Sequence, residues 1–334
     1  MYDVITMGAA TRDVFLLSDH FRVAKDKHLS AVGEVLYFNL GSKNELQEVI
    51  LTTGGGATNA AVTFARQGLR TACICRVGDE ESGHDVVRAL KNEGITTEFI
   101  QHDKKSPTAY STILTTKKGE RVILTKRGAS DHIDARAIPV KRVQAKWLYV
   151  SSVAGDLALL KKVFAVAHAH GIRIAINPGI RELEKGLRAL EPLLRSVDVL
   201  FVNHEEAAQL TGISQRKEKT IFEKLDAIVR GIVVMTKGQK GVVVSDGKKV
   251  YHAGVPKAPI AGRTGAGDAF GSCFIAGLAR GNNIPFSMQL GTANATAVIQ
   301  HLSAKQGILR KGEWGKWPRV TVQEISLKNH GYIN

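Results

Sequence analysis

A glycine-rich stretch opens directly into an apolar helix at residues 262–270, where the chain reads Gly-Arg-Thr-Gly-Ala-Gly-Asp-Ala-Phe. From Phe270 onward, apolar residues recur at helical spacing, which predicts a helix with one buried face. The unpaired N–H groups of its first turn and the positive end of the helix dipole form a site for an anion. Asp268 lies in that turn. It either stabilises the helix start or accepts a proton from a hydroxyl that attacks a phosphate.

Strand and helix patterns alternate along most of the chain. Val4 to Gly8 reads as a buried strand and Arg70 to Val77 as a second strand. From Trp147 onward, buried strands such as Arg173 to Ile176 and Val197 to Val202 are separated by helical segments. This order is typical of an α/β protein with a mostly parallel sheet. A final helix is predicted over Phe286 to Leu302.

Two segments depart from this alternation, because their strand patterns have no helices between them. Residues 14–52 contain short strand-like pieces, and residues 95–127 contain a hairpin with a Lys-Lys-Gly turn at 117–119. Together they predict a second, smaller sheet.

Composition narrows the class of protein. Lys and Arg number 46 against 31 Asp and Glu, a formal net charge of +15 that favours anionic ligands. The basic residues are scattered and aromatic residues make up only 6%, so nucleic-acid binding is not expected. Three cysteines do not make a disulfide framework and predict reduced thiols in a cytoplasmic protein. The start lacks a signal-peptide pattern, and no apolar run reaches the ~20 residues of a membrane span.

Several motifs, in order, resemble those of the ribokinase-like (PfkB) carbohydrate kinases. They are Gly54-Gly-Gly-Ala-Thr-Asn59, Val77 to Gly83, Asn203-His-Glu-Glu206, Thr236 to Gly241, and the stretch at 262–270. The resemblance runs from about Val4 to Gly307. It implies a doubly wound, mostly parallel sheet flanked by helices, with a small β-sheet lid. Residues 1–13, 53–94 and 128–310 would form the core, residues 14–52 and 95–127 the lid, and residues 311–334 an unassigned C-terminal extension.

On the substrate side, the resemblance assigns roles to two groups of residues. It implies that Asp268 is the catalytic base and that the amides of Gly265, Ala266 and Gly267 stabilise the transferred phosphoryl group. It implies that the substrate hydroxyls are bound by Asp13, Gly54, Gly55 and Asn59. Read without the family, Asp13 caps a loop and the glycines at 54–56 form only a tight turn.

On the nucleotide side, the resemblance implies ATP and Mg²⁺ as cofactors. It implies nucleotide contacts from Asn203, Glu206, Thr236, Gly238, Gly241, Arg263 and Asn294, with Glu206 reaching Mg²⁺ through water. Read alone, Asn203 and Glu206 form a capping box at a helix start, which is compatible with the metal role, and Asn294 is an exposed polar residue. Where the family has an Asp that binds a monovalent cation, this chain has Gly262, followed by Arg263. The resemblance therefore leaves the monovalent cation doubtful.

The function expected from these residues is transfer of the ATP γ-phosphoryl group to a hydroxyl of a sugar or sugar-like small molecule. A nucleoside kinase of the same family and a non-catalytic sugar- or nucleotide-binding regulator are the alternatives. A nicotinamide dehydrogenase is disfavoured, because the turn at Gly54 lacks the Gly-x-Gly-x-x-Gly form. An apolar outer face on the lid would allow a homodimer.

Overall fold

The computed structural model of the chain describes residues 1–26, 34–116, 120–140 and 142–326. The strands of these residues are β1 (Tyr2–Met7), β2 (Thr11–Leu17), β3 (Arg22–Lys25), β4 (Glu34–Tyr37), β5 (Glu48–Gly54), β6 (Thr71–Ile74), β7 (Arg76–Gly78), β8 (Gln101–Asp103), β9 (Ala109–Thr115), β10 (Arg121–Lys126), β11 (Ala145–Val150), β12 (Arg173–Ile176), β13 (Val199–Asn203), β14 (Ile232–Thr236), β15 (Val242–Ser245), β16 (Lys249–Ala253) and β17 (Val322–Ser326). The helices are α1 (Gly56–Arg66), α2 (Glu81–Asn92), α3 (Leu157–Ala169), α4 (Ile180–Leu183), α5 (Leu187–Leu194), α6 (His204–Thr211), α7 (Glu218–Asp226), α8 (Ala266–Ala279) and α9 (Ile284–Val298).

A large sheet forms the centre of the molecule, with the strand order β17-β16-β15-β14-β13-β12-β11-β1-β6. Pairing is parallel from β6 through β14 and antiparallel from β14 to β17. Its central strands are almost wholly apolar because helices cover both faces. One face packs against α3, α5, α6 and α7, and the other against α1, α8 and α9. The doubly wound, mostly parallel sheet predicted from the alternation is confirmed.

Several element boundaries shift by one or two residues from the sequence prediction, and two elements differ for a reason that the tertiary contacts show. The strand expected over Arg70 to Val77 divides, because after β6 the chain leaves the large sheet and β7 pairs with β8 instead. An ion pair between Arg76 and Asp103 joins these two short strands. The last helix ends at Val298 rather than Leu302, because the carbonyl of Ile299 accepts the amides of Ala261 and Gly262.

A smaller sheet, which we call the lid, has the order β10-β9-β2-β5 and includes the predicted β9–β10 hairpin. The turn expected at 117–119 lies outside the described residues. Asp13 lies within β2 and is buried, so the loop-cap interpretation is wrong. β3 and β4 form a separate two-stranded sheet and do not extend the lid.

Cross-strand register divides the lid into two faces. Asp13, Ser111 and Thr125 are opposite one another on the inner face, where the hydroxyls of Ser111 and Thr125 lie 3.2 Å apart. The outer face presents partly exposed apolar side chains, which are Val49, Leu51, Tyr110, Val122 and Leu124. The apolar outer face expected from the sequence is therefore present.

The segment after residue 310, which the sequence left unassigned, contributes an edge strand. β17 pairs antiparallel with β16 at the end of the large sheet. Before it, the Trp314 ring packs edge-on against Phe286 at 5.3 Å, and the Arg319 guanidinium stacks 3.6 Å from the same indole. Within the described residues, no helix has the length and apolar content needed to cross a membrane. Cys73, Cys75 and Cys273 are free and buried.

The Glu182 carboxylate forms hydrogen bonds with the turns that follow β11 and β12, at the carboxyl edge of the large sheet. Glu182 is 1% exposed, and its carboxylate accepts the backbone N–H groups of Val153, Gly155 and Gly179, each at 2.8 Å. It also accepts the Ser152 hydroxyl at 3.1 Å. A buried carboxylate is tolerated here because several donors satisfy it.

We predict that Glu182→Ala lowers the free energy of unfolding by about 3 kcal/mol, because one buried and two partly buried N–H groups lose their acceptor. Urea unfolding followed by circular dichroism measures the change. Glu184→Ala removes an exposed carboxylate two residues away and serves as the control. Equal stability of the two variants would contradict the prediction.

Candidate active site

The glycine-rich turn before α8 aims the start of this helix at the cleft below the lid. Gly265 is the N-cap residue and has φ of 79°, in the left-handed region that favours glycine. A side chain there would also collide with Ala304. Gly267, by contrast, faces open space. The Ala266 N–H makes only a long contact of 3.5 Å with the Arg263 carbonyl, so the first-turn amides are available to a ligand.

Asp268 is held by a side chain from a distant part of the sequence. The Asn59 amide nitrogen donates to its carboxylate at 2.9 Å, joining the first turns of α1 and α8. Because a carboxylate only accepts hydrogen bonds, the amide oxygen of Asn59 must point away. That oxygen is buried and has no partner among the described residues, and the same holds for the Thr264 hydroxyl next to the turn. Buried orphaned polar atoms of this kind are expected where a ligand supplies the missing partner.

The lid brings a second carboxylate to the same place. Asp13 lies against Gly54, where any side chain would collide with the Asp13 carboxylate. The Thr11 hydroxyl donates to Asp13 at 2.7 Å. Gly55 is the N-cap residue of α1. The structure therefore groups the predicted substrate residues Asp13, Gly54, Gly55 and Asn59 around Asp268.

Burial raises the pKa of Asp268, and the negative charge of Asp13 raises it further, while the hydrogen bond from Asn59 lowers it. Burial also raises the pKa of Asp13, against the hydrogen bond from Thr11. Carboxylates with raised pKa values are better proton acceptors near neutral pH than an exposed Asp. The pair can thus exchange a proton with a ligand hydroxyl.

A cavity of about 1390 Å³ extends to Arg263, just before the glycine-rich turn that begins α8. Asn203, Thr236, Gly238 and Arg263, all predicted on the nucleotide side, line it together. Its walls are rich in cations and carry only two carboxylates: Arg216, Lys217, Lys219, Lys237, Lys240 and Arg263 against Glu205 and Glu218. The local excess of positive charge suits a polyanion.

Asn203 and Glu206 form the capping box that the sequence suggested. The Asn203 side chain accepts the Glu206 N–H at 2.8 Å, and the Glu206 carboxylate accepts the Asn203 N–H at 2.7 Å. Burial raises the pKa of Glu206, and the nearby Glu205 adds to the effect. Bound Mg²⁺ would favour the ionised form of Glu206, which is also the form that accepts the Asn203 N–H. Capping of α6 and binding of Mg²⁺ are therefore compatible roles for Glu206.

Besides Glu206, two residues predicted on the nucleotide side, Gly241 and Asn294, are not part of the cavity lining. Gly241 packs its backbone against the Ala253 carbonyl, where no side chain would fit. Asn294 is fully buried, so the interpretation of it as an exposed residue is wrong. Its amide donates to the Ala269 carbonyl at 2.9 Å and accepts the Leu309 N–H at 2.8 Å, which fixes α9 against α8. A nucleotide role for either residue stays a prediction.

Lys305 was missed by the sequence analysis, because it belongs to no motif. Its ammonium donates to the Thr53 hydroxyl at 2.7 Å, which fastens the end of lid strand β5 to the core. Burial lowers its pKa to about 8, and the negative charge of Asp13 opposes this shift. The sequence alone gives no signal that would connect Lys305 with the site.

Fold and site together define a class: an α/β enzyme with a β lid, in which a partly buried carboxylate lies between the lid and a basic cavity. Residues 26–310 match the sequence model described as pfkB family carbohydrate kinase. The chain belongs to this family, and its relatives include ribokinases and fructokinases, which are phosphotransferases with an alcohol acceptor.

Individual relatives agree with this assignment. The chain is 27% identical over 251 residues to an uncharacterized sugar kinase of Archaeoglobus fulgidus, covering 74% of this chain and 98% of the relative. It is 24% identical over 318 residues to a nucleoside kinase of Methanothermobacter thermautotrophicus, covering 89% of this chain and 100% of the relative. The structure of Arabidopsis thaliana ribokinase complexed with ribose and ATP superposes with a TM-score of 0.75 at 19% identity, covering 93% of this chain and 96% of that one. The ribokinase-like fold is confirmed.

We predict that Lys305→Met changes how stability depends on pH. The pKa of Lys305 is about 8 in the fold against 10.5 as the reference, so between these values the unfolded chain holds a proton that the folded chain has released. The wild type should therefore gain stability relative to the variant as pH rises from about 8 to 10.5. Urea unfolding across this range measures the difference, with exposed Lys316→Met as the control. Parallel curves for wild type and Lys305→Met would contradict the prediction.

Proposed function

We propose that the protein is an ATP-dependent kinase that phosphorylates a hydroxyl of a sugar or sugar-like small molecule. The observation that carries the proposal is the pairing of Asn59 with Asp268 at the start of α8, with the unpaired Asn59 oxygen beside it. A ligand hydroxyl can donate to that oxygen. Asp268 then lies within reach of a hydroxyl on the same ligand.

In this mechanism Asp268 accepts the proton of the attacking hydroxyl. The hydroxyl oxygen forms a bond to the γ-phosphorus while the bond from that phosphorus to the bridging oxygen of ADP breaks. The N–H groups of Gly265, Ala266 and Gly267 stabilise the charge on the transferred group, as donors aimed at developing charge do in other enzymes. Asp13, Gly54 and Gly55 position the substrate under the lid, which limits access of water to the transferring group.

The basic cavity suits the nucleotide. Thr236, Gly238 and Arg263 line it, and its cationic walls fit the triphosphate. The Arabidopsis ribokinase structure with ribose and ATP is of the same fold. Mg²⁺ bound with the nucleotide would offset phosphate charge, and Asn203 and Glu206 would hold it through water, the coordination that Mg²⁺ commonly keeps.

A coupled ADP-release assay over sugars, sugar phosphates and nucleosides tests the proposal. Turnover of a sugar supports it, whereas turnover of nucleosides alone would assign the second candidate, a nucleoside kinase. That candidate rests on the match to the full length of a nucleoside kinase. ATP binding without turnover of any alcohol would indicate the non-catalytic regulator.

We predict that Asp268→Asn lowers kcat at least ~100-fold with little change in nucleotide affinity, because the amide cannot accept the proton. Its unfolding temperature should be unchanged or higher, because burial disfavours the carboxylate and Asn can still accept from Asn59. Steady-state kinetics and thermal unfolding measure both, with exposed Asp131→Asn as the control. Near-normal turnover of the variant would remove Asp268 from the mechanism.

We predict that activity does not depend on K⁺. A side chain at Gly262 would crowd the His301 carbonyl at 2.8 Å, so the carboxylate ligand of the family's cation cannot be restored there without a shift. Arg263 supplies a fixed positive charge near the same turn. Assays in K⁺ and in choline should agree, and Arg263→Ala should weaken ATP binding or turnover. Strong stimulation of the wild type by K⁺ would refute this role.

We also propose a homodimer through the outer face of the lid. Leu51 and Leu124 on that face are 61% and 57% exposed, and a contiguous apolar face of this kind favours a partner. A second copy offers the same surface, as a two-fold interface requires. Light scattering at micromolar concentration should give a dimer for the wild type and a monomer for Leu51→Glu. A monomeric, fully active wild type would count against it.

A further inference from the structure

The segment that follows residue 310 forms one wall of the basic cavity. Thr321 and Gln323 line the cavity beside His252, Ala253 and Gly254, which come from the end of β16. The match to the family model ends at residue 310, so Thr321 and Gln323 lie beyond the matched residues. This wall of the cavity therefore has no role in the mechanism described so far.

The register of β17 shows which face of the large sheet this wall belongs to. Gln323 is opposite His252, and His252 is opposite Val243. Residues directly opposite one another on neighbouring strands have their side chains on the same face. Val243 is buried in the cluster that includes residues of α6 and α7. Gln323 is therefore on the α6 and α7 face, where its side chain is exposed at the edge of the sheet.

Several contacts fix β17 in place. The Gln289 side chain donates to the Val320 carbonyl at 2.9 Å, shortly before the strand begins. Five residues of β17 pair with β16, and an ion pair of 2.7 Å joins Lys249 to Glu324. A wall that is held in this way loses little conformational freedom when a ligand binds, which favours specific contacts.

The two sides of the cavity differ in charge. The chain around the start of α7 and the turn after β14 supply most of the cations, which are Arg216, Lys217, Lys219, Lys237 and Lys240. The side formed by β16 and β17 presents no Lys, Arg, Asp or Glu among its described lining residues. A nucleotide is divided in the same way, into a charged polyphosphate and an uncharged base whose edge carries hydrogen-bond donors and acceptors. The base therefore suits the wall that Thr321 and Gln323 form.

We propose that Gln323 binds the adenine base of ATP, with Thr321 as a second hydrogen-bonding group beside it. The inference rests on the proposed kinase function and adds to it the selection of the base. A Gln amide both donates and accepts, so it pairs at once with the N7 acceptor of adenine and with the adjacent N6 amino donor. Guanine presents two acceptors, O6 and N7, at the same edge, where the amide oxygen finds no donor. The C-terminal strand thus gives preference to adenine.

Binding without turnover tests the proposal. We expect the wild type to bind the non-hydrolysable β,γ-imido analogue of ATP, with Mg²⁺, more tightly than the corresponding analogue of GTP. Gln323→Met keeps the volume of the side chain and loses both hydrogen bonds. It should raise the Kd of the ATP analogue about fivefold and that of the GTP analogue less than twofold. Thr321→Val removes only a hydroxyl and should raise the Kd of the ATP analogue about twofold.

Gln144→Met is the matched control, because Gln144 is an exposed glutamine directly before β11, at the amino edge of the large sheet and away from the cavity. It should leave the Kd of both analogues unchanged. Isothermal titration calorimetry gives each Kd.

The comparison of the two bases decides the outcome. A wild type that binds both analogues equally would overturn the proposal, because nothing would then select the base. Equal losses in Gln323→Met for both analogues would mean that this side chain contacts the ribose or the phosphates, and would also overturn it. Unchanged Kd values in Gln323→Met would show that the β17 wall does not contact the base.

Thermal unfolding separates binding from a structural role. Because Gln323 is exposed, the unfolding temperature of Gln323→Met without ligand should equal that of Gln144→Met. The rise in this temperature on adding the ATP analogue should be smaller for Gln323→Met than for the wild type. A large fall in the ligand-free unfolding temperature, beyond that of the control, would show a structural glutamine and overturn the proposal. Failure of the wild type to phosphorylate any alcohol, with the binding pattern intact, would refute only the proposed function.

Discussion

The hydrogen bond from Asn59 to Asp268 is the contact on which the site depends. It joins the first turn of α1 to the first turn of α8, which are 209 residues apart in sequence. The two helices pack side by side on one face of the large sheet, so their starts meet at one point. That packing places a carboxylate in a partly buried position which α8 alone would not provide. The cost of burying it appears in its raised pKa.

Around this contact the charges are separated in space. Carboxylates gather on the side of the lid, where Asp13 faces Asp268, and cations gather in the cavity beyond the start of α8. A ligand hydroxyl suits the first environment and a polyphosphate suits the second. The amides of the glycine-rich turn lie at the boundary, where a group moving from one environment to the other must pass. This arrangement explains why a helix start, rather than a loop, occupies the centre of the site.

Much of the core could be predicted from the sequence, because each strand is a short run of apolar residues bounded by turns. The β12 boundaries agree with the predicted Arg173 to Ile176, since a strand covered on both faces has few other interpretations. Where tertiary contacts decide, the prediction was wrong. The helix expected to reach Leu302 ends early because Ala261 and Gly262 take its last carbonyl, and Asn294 is buried because its amide finds backbone partners on α8 and near Leu309.

The residues that sequence could not identify are those that act without a motif. Lys305 is a single basic residue among 46, and nothing in its local sequence marks it. Its role appears only in the fold, where its ammonium donates to Thr53 at the end of β5. A one-residue slip in the register of β10 against β9 would turn Val122 from the outer face of the lid to the inner face. The pairing of β9 with β10 therefore determines the apolar character of the outer surface of the lid.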